Sequence, residues 1–351
     1  MADQLSAECV KRTAERVYRY MLLDHSGSWG MDLNHWDWVP GVGVIAMHAY
    51  YERTGKAETM PELIKWSQSN LHLAGKVNVI NAMAPYTVFP ALYAYTQQPV
   101  YLETAVRIGH WMLNEAPRTR EGAFEHTVTE NVKFPEQVWA DTVFMAVMFL
   151  ARLTRLTGET AYAKEAVRQL DLHLCLLQDN ETGVLFHGWN SEARNHLSAA
   201  RWTRANAWIA VAAPMIFEEL EGFVDVPKET VERYQLLMRS LIRFQQADGL
   251  WTTVMDRPEF YPETSGSAGI ACGIVKAVRQ GLLEASCLHA AYRAAEAILP
   301  KVLPSGEVTG VSGGTPIMPS IEAYNEIPCY PVLYGQGLVL MLLSELTDIS
   351  A

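Results

Sequence analysis

The stretch DTVFMAVMFLARL, residues 141–153, is apolar on almost every side and opens with one aspartate. A helix that is apolar all round is packed on every side, because an exposed face would carry polar groups. Five more segments share this character and are rich in Gly and Ala: GVGVIAMHAYY, APYTVFPALYAY, ANAWIAVAAPMIF, SAGIACGIVKAV and GQGLVLMLLSEL. The sequence therefore predicts six buried helices.

Amphipathic segments alternate with these buried helices. In AYAKEAVRQLDLHLCLL, residues 161–177, apolar side chains such as Ala163, Val167 and Leu170 form one stripe, while Lys164 and Arg168 lie off it. Five others have the same pattern: SAECVKRTAERVYRYML, MPELIKWSQSNLHL, VYLETAVRIGHWML, KETVERYQLLMRSLIRF and CLHAAYRAAEAIL. The pattern predicts six helices with one solvent-facing side each.

The alternation indicates a helical hairpin that occurs six times. Markers at the starts of the buried helices are separated by 43 to 70 residues, one hairpin for each interval: Gly41, Ala84, Asp141, Arg204, Ser267 and Gly337. Six hairpins in a ring form an all-α (α/α)6 barrel, here one domain over residues 1–351. An open helical solenoid is the alternative, although it normally has shorter repeats and capping ends. In the barrel, the Gly-containing turns before the buried helices open on one rim, where we expect the site.

Composition excludes several classes of function. The net charge of −11, without a Lys/Arg cluster, argues against nucleic-acid binding. The chain has neither a signal-peptide pattern nor an apolar run of membrane-spanning length, so we expect no membrane contact and a cytoplasmic location. Its 5 cysteines are scattered without CxxC spacing, which favours neither disulfides nor a zinc site. The sequence has no phosphate-binding motif, so we expect no cofactor. Its candidate histidines lie on separate repeats without close ligand spacing, so we expect no metal site.

The rim segments carry aromatic and amide side chains, with one arginine and few acids. Such a mixture is typical of a carbohydrate pocket, because aromatic rings pack on sugar faces and amides bind hydroxyl groups. The candidate substrate-binding residues are Trp38, Asn81, His126, His187, Trp202, Arg204, Trp208 and Ser265. Each tryptophan could instead be a packing residue and each histidine a structural hydrogen-bonding group, so the prediction depends on their recurrence at equivalent repeat positions.

Asp141 and Arg204 are the most specific of the rim residues. Asp141 and Asp37 could simply be negative charges that the helix dipole favours at the start of a helix. However, a fully apolar helix follows Asp141, and desolvation there raises the pKa of a carboxyl group. Arg204 lies between Trp202 and Trp208 in sequence, and an arginine between aromatic rings is suited to binding a carboxylate. This favours an acidic sugar as the substrate.

Six motifs in order, WDWVPGVG, VWADTVFMAV, HGW, WTRANAW, ETSGSAG and YGQG, resemble the unsaturated rhamnogalacturonyl hydrolases of glycoside hydrolase family 105, relatives of the family 88 unsaturated glucuronyl hydrolases. They extend from Trp36 to Gly337, nearly the whole chain. The resemblance implies an (α/α)6-barrel hydrolase whose partner is a small oligosaccharide left by a polysaccharide lyase, with rhamnose as the usual sugar next to the unsaturated uronate. It also implies hydration of the vinyl ether, with Asp141 as general acid and base.

The resemblance assigns substrate contacts to His187 and to the group of Trp202, Arg204 and Trp208, with Arg204 facing the uronate carboxylate. Trp38 and Ser265 are weaker transfers, and His126 is the nearest match to a family histidine before the WxD motif. The family is expected to have a second acid near the start of the second buried helix, where this chain has Asn81. Either Asn81 binds a hydroxyl group there, or Asp37 supplies the second carboxylate.

Two other functions remain open on the sequence. A sugar 2-epimerase uses the same barrel and paired histidines, for which His126 and His187 are available, although the WxD and WxRxxxW motifs fit it poorly. A non-catalytic sugar-binding protein is the other alternative, because a fold alone does not prove chemistry. Asp141 and Arg204 favour the hydrolase over both.

Overall fold

The computed structural model describes residues 5–76, 78–131 and 133–347. Six inner helical segments lie where the sequence predicted buried helices. They are α2 (Trp38–Thr54), a 3-10 segment Asn81–Val88 that continues into α4 (Phe89–Thr96), a π-helical segment Val143–Val147 that continues into α6 (Met148–Thr157), α8 (Thr203–Leu220), α10 (Thr264–Arg279) and α13 (Leu333–Glu345). Pro85 and Pro90 interrupt the second of these, because proline lacks the amide hydrogen that an α-helix interior needs.

The outer helices are the six amphipathic segments. They are α1 (Ala7–Met21), α3 (Thr59–Asn70), α5 (Pro99–Asn114), α7 (Thr160–Leu177), α9 (Lys228–Phe244) and α11 (Leu288–Ile298). Short 3-10 turns flank two of them: Leu71–Leu73 follows α3, and Ala285–Cys287 and Leu299–Lys301 precede and follow α11. In α7 the predicted stripe that includes Ala163, Val167 and Leu170 is buried, whereas Lys164 is not.

The inner helices form a closed ring. Each packs on the next in chain order, and α13 packs on both α2 and α1, which joins the last hairpin to the first. Closure by these end helices excludes the open solenoid, whose terminal repeats do not meet. The predicted (α/α)6 barrel is therefore confirmed.

Glycines explain how the inner helices approach one another so closely. A Cβ atom on Gly273 of α10 would lie 2.4 Å from the carbonyl oxygen of Ala210 on α8. A Cβ atom on Gly337 of α13 would lie 3.0 Å from the Cβ atom of Ala46 on α2. The Gly and Ala content that predicted buried helices thus has a direct steric reason, because larger side chains would force the backbones apart.

The inner helices all begin at the same rim of the barrel, where the connecting segments carry a small antiparallel sheet. Its strands are β1 (Gln137–Trp139), β2 (Gly188–Asn190) and β3 (Asn195–His196), with β2 in the centre. Trp139 pairs with Gly188, which brings the segment before Asp141 beside His187. A further short helix, α12 (Ile321–Asn325), lies in the last rim connection. The sequence predicted neither the sheet nor α12.

Within the described ranges, the helices are either too short or too polar to cross a membrane.

Candidate active site

A cavity of about 330 Å³ opens at this rim. Three of the predicted residues that line it come from the starts of inner helices, Trp38, Asn81 and Arg204. The full lining is Trp29, Trp38, Asn81, His126, Val128, Glu130, Asn131, Phe134, Trp139, Asp141, Trp202, Arg204, Trp208, Gly314, Thr315 and Pro316. Of the nine residues predicted from the sequence, seven thus lie together on one cavity, and the other two, His187 and Ser265, lie against members of it.

Asp141 lies in this lining at the start of the third inner helix, with 8% of its surface exposed. Burial raises the pKa of Asp141 to about 6, against a smaller opposing effect of the Arg204 positive charge. The Oδ1 atom of Asp141 is buried and has no hydrogen-bond partner among the described residues. The carboxyl group is therefore able to hold a proton near neutral pH and has an oxygen free for a substrate.

His126 stacks on Trp139 in the cavity wall. The two ring centroids are 3.8 Å apart and the ring planes are within 6° of parallel. Burial lowers the pKa of His126 to about 3, so its imidazole is neutral in the physiological range. Its Nδ1 atom is buried without a hydrogen-bond partner in the described part of the chain. This histidine therefore offers a neutral donor or acceptor and no charge.

His187 is completely buried between the rings of Trp139 and Trp202, at centroid distances of 5.2 and 4.2 Å. Its Nδ1 atom is 2.8 Å from the Tyr324 hydroxyl group, and its Nε2 atom has no partner among the described residues. Burial holds the pKa of His187 well below its usual value, with smaller effects from His126 and Arg204. Because Tyr324 occupies one ring nitrogen, only Nε2 remains for a substrate.

Arg204 is 1% exposed, and its guanidinium group lies between two aromatic rings. Both rings, Trp202 and Tyr334, have their centroids 4.5 Å from the guanidinium carbon, so the second ring is not the predicted Trp208. The Nη1 atom donates to the carbonyl and hydroxyl oxygens of Ser312, and Nη2 donates to the Gly313 carbonyl at 2.9 Å and the Thr315 hydroxyl at 3.0 Å. The segment 312–315 thus covers the guanidinium edge.

Glu263, the N-cap of α10, is fully buried beside Arg204, with 3.6 Å between its Oε1 atom and Nη1. Its carboxylate accepts hydrogen bonds from the Gly266 amide at 2.6 Å and the Ser312 amide at 3.0 Å. The predicted Ser265 is also fully buried; its hydroxyl donates to Glu263 at 2.8 Å and accepts from Arg204 at 3.3 Å. Ser265 therefore lies behind Arg204 and holds it, instead of lining the cavity itself.

The remaining predicted residues occupy distinct parts of the wall. Trp38 stacks on Tyr334 at 5.5 Å and 10°, and Trp208 packs against Phe144 at 4.9 Å. Asn81 is 2% exposed, and its Oδ1 atom is buried without a partner in the described part of the chain. These positions give the cavity two aromatic walls and one free amide.

Asp37 lies outside this cavity, in the wall of a neighbouring one. It is the N-cap of α2, and its carboxylate accepts hydrogen bonds from the Trp38 amide at 2.7 Å and the Thr129 hydroxyl at 2.6 Å. Burial raises its pKa. The second carboxylate that the sequence offered is thus engaged in capping.

Comparison with known proteins agrees with this arrangement. Residues 13–349 match the family described as Glycosyl Hydrolase Family 88. The chain belongs to glycosyl hydrolase family 88. The unsaturated rhamnogalacturonyl hydrolase YesR of Bacillus subtilis is 34% identical over 318 residues, 88% of this chain and 89% of YesR.

Solved structures of related proteins have the same fold. A crystal structure described as a possible member of the GH105 family, from Salmonella enterica serovar Paratyphi A, has a TM-score of 0.92 at 30% identity and covers 97% of this chain and 94% of its own. The unsaturated glucuronyl hydrolase of Bacillus sp. GL1 has a TM-score of 0.73 at 16% identity, over 96% of each chain. The resemblance seen in the motifs is thereby confirmed, and the family 88 chain is a glycoside hydrolase.

Several cavity residues of this family 88 enzyme were not predicted. Trp29 lies in SGSWGM, residues 26–31, one of the Gly-containing turns before the buried helices, but it was not assigned to the site from the sequence. Glu130, Asn131 and Phe134 come from the connection before β1, and Thr315 comes from the connection before α13. These residues are in irregular segments, so no period or helix end in the sequence signalled them.

Within the described residues, no group of three or more His, Cys, Asp and Glu side chains is placed to hold a metal ion.

Proposed function

We propose that this family 88 enzyme releases the 4,5-unsaturated uronic acid from the non-reducing end of lyase-generated oligosaccharides, with the unsaturated rhamnogalacturonan disaccharide as the substrate that fills the active-site cavity. The observation that carries the proposal is Asp141, a buried carboxyl group whose pKa is raised to about 6 and whose Oδ1 atom is free. The relative named as an unsaturated rhamnogalacturonyl hydrolase, at 34% identity, supports the substrate class.

Asp141 acts first as the acid. Its proton goes to C4 of the uronate, the π electrons of the C4=C5 double bond form the new C4–H bond and leave a C4–C5 single bond, and the positive charge is shared between C5 and the ring oxygen. Water then adds at C5 and gives its proton to the Asp141 carboxylate, which regenerates the acid. The hemiketal at C5 opens, and the hemiacetal left at C1 releases the next sugar as an alcohol. The overall change is the addition of one water molecule, and Asp141 is unchanged at the end.

Arg204 binds the uronate carboxylate in this proposal. Its guanidinium group faces the cavity but already donates to Gly313 and to the Thr315 hydroxyl. The substrate carboxylate takes the place of the Thr315 hydroxyl, because a charged acceptor forms a stronger hydrogen bond with arginine than a neutral one. The bound carboxylate also brings a negative charge towards Asp141, which favours the protonated acid that the first step needs.

Asn81 and His126 replace a second acid at this site. Both line the cavity with Asp141, and each has a buried polar atom without a partner among the described residues. An uncharged amide and a neutral imidazole can bind the substrate hydroxyl groups or the attacking water without lowering the pKa of Asp141. Asp37 is engaged in capping α2 and does not enter the chemical step.

We propose further that residues 1–351 act as one catalytic domain in the cytoplasm. The contact of α13 with α1 and α2 supports one domain, since the last hairpin completes the ring with the first. The five cysteines are unpaired, as proteins of a reducing compartment normally have them.

The test is the ultraviolet absorbance of a panel of lyase-generated unsaturated disaccharides incubated with the wild type, Asp141→Asn and the control Asp225→Asn. Asp225 is an exposed aspartate that follows α8, beyond the end of that helix opposite to Arg204, and it lines neither cavity at the rim. We expect the wild type and the control to remove the conjugated absorbance, and Asp141→Asn to be slower by about 10³-fold, the order expected for loss of a general acid. Unchanged absorbance of every disaccharide with the wild type would refute the proposal.

A further inference from the structure

A second cavity lies beside the active-site cavity at the same rim. It has a volume of about 400 Å³ and is walled by the segment before α2, the 3-10 turn Leu71–Leu73 and the connection before β1. Trp29 and Glu130 belong to both cavities. A ligand in the active-site cavity that continues past these two side chains therefore enters the second cavity.

Trp29 is half exposed, which is unusual for a tryptophan whose loop is well held. In that loop the Asp32 amide donates to the Ser28 carbonyl at 2.9 Å, and the Gly30 carbonyl accepts from the Leu333 amide at 2.7 Å. The Trp29 ring lies edge-on to Trp38, with centroids 6.2 Å apart and planes 70° from parallel. A rigidly placed ring with one open side is suited to stacking on a sugar, because little side-chain entropy is lost on binding.

The wall of the second cavity combines aromatic and charged groups. Trp36 is fixed by stacking on Trp66, with centroids 5.6 Å apart and planes 16° from parallel. His35 and Lys76 are exposed beside it, and Asp37 contributes a carboxylate. Hydroxyl groups of a sugar can donate to the carboxylate and accept from the ammonium and imidazole groups, so this wall can satisfy a polar pyranose.

The order of the side chains sets the order of the sugar units. Arg204 and Trp208 line the active-site cavity together with Asp141. In the proposed function, the unsaturated uronate lies beside these three side chains. The sugar released by the reaction then lies beside Trp29 and Glu130, where the two cavities meet. A sugar attached to that one falls in the second cavity.

We propose that the second cavity is a subsite for a further pyranose unit of the leaving group, so that the enzyme prefers unsaturated oligosaccharides longer than a disaccharide, with Trp29 as the ring between the two leaving-group units. This inference rests on the proposed function, because it extends the same substrate beyond its cleaved bond. Both cavities have volumes within the range of about 300–1,000 Å³ that holds a small organic ligand, so neither needs to enlarge.

The experiment compares kcat/KM for unsaturated disaccharide and trisaccharide or tetrasaccharide from one lyase digest, followed by the loss of conjugated absorbance. The variant Leu73→Trp fills the second cavity from its wall without touching the first. The matched control is His72→Trp, which adds the same ring on the same turn, at an exposed residue outside the cavity. Thermal melting of both variants verifies that they are folded.

In the wild type and His72→Trp, we expect kcat/KM for the longer substrate to be higher than kcat/KM for the disaccharide by about fivefold or more. That ratio is the value of one or two good contacts. Leu73→Trp should lose this preference and keep the disaccharide rate. Equal kcat/KM for both lengths in the wild type overturns the subsite while the proposed function stands, as does a Leu73→Trp variant that retains the preference. If the wild type cleaves neither substrate, the proposed function fails and the subsite fails with it.

Discussion

Replacing Asp141 by Asn should stabilise the protein at neutral and alkaline pH. Burial raises the pKa of this carboxyl group from its usual 3.8 to about 6. The folded state therefore prefers the protonated form, and each unit by which the pKa is raised corresponds to about 1.4 kcal/mol between the two protonation states. Relative to a neutral side chain, the ionised carboxylate destabilises the fold by about 3 kcal/mol.

The sign follows from proton binding. Between pH 3.8 and about 6 the folded protein holds a proton on Asp141 that the unfolded chain has released, so stability falls as the pH rises through this window. Above it both states are ionised, and the difference stays constant. Asparagine has nearly the same shape and never ionises. Asp141→Asn should thus gain about 3 kcal/mol at about pH 8 and only about 1 kcal/mol at about pH 4.5.

Thermal melting and urea unfolding at about pH 4.5, 6 and 8 measure this difference, and Asp225→Asn serves as the control for loss of an exposed carboxylate. For a chain of 351 residues, a gain of about 3 kcal/mol raises the melting temperature by about 4 °C. A variant that is less stable than the wild type at about pH 8 would refute the reasoning, as would a stability difference that does not change with pH.

Three further outcomes are expected. Glu263→Gln removes the negative charge beside Arg204, so the arginine acts more strongly on Asp141; the alkaline limb of the pH–rate profile should move to lower pH, and an unmoved limb would contradict this role. Tyr324→Phe removes the hydroxyl group that lies 2.8 Å from Nδ1 of His187. Steady-state kinetics should then show a KM for the disaccharide that is raised about fivefold, the value of one hydrogen bond. An unchanged KM would mean that His187 needs no such partner. Gly273→Ala places a methyl group against the Ala210 carbonyl and should cost about 1–3 kcal/mol in urea unfolding; a neutral result would show that α8 and α10 can move apart freely.

The helical ring could be predicted because its signals are periodic. Segments such as residues 141–153 are apolar on every side, whereas the intervening helices are apolar on one side only. The spacing of the apolar side chains therefore predicts which helix faces are buried. The position of Asp141 followed from the same contrast, since a lone acid before an apolar helix is desolvated once that helix is packed. The raised pKa of Asp141 agrees with that prediction.

The environment of Arg204 could not be predicted in the same way. Its partners Glu263, Ser312 and Thr315 come from residues 59 to 111 positions away along the chain, and they meet only when the ring closes. The neighbouring tryptophans in sequence suggested two flanking indoles, but Tyr334 from the last inner helix provides the second ring. Irregular rim segments raised the same difficulty for Trp29, because a turn sequence does not reveal which cavity its side chain borders.

The most direct test of the central claim uses an unsaturated disaccharide in which sulfur replaces the oxygen between the two sugars. Protonation at C4 and hydration at C5 do not begin at that linkage, so we expect the wild type to remove the conjugated absorbance of the thio-linked substrate, and Asp141→Asn to leave it unchanged. If the wild type cleaves the oxygen-linked disaccharide but leaves the thio-linked one intact, or if Asp141→Asn consumes either at the wild-type rate, hydration by Asp141 is contradicted.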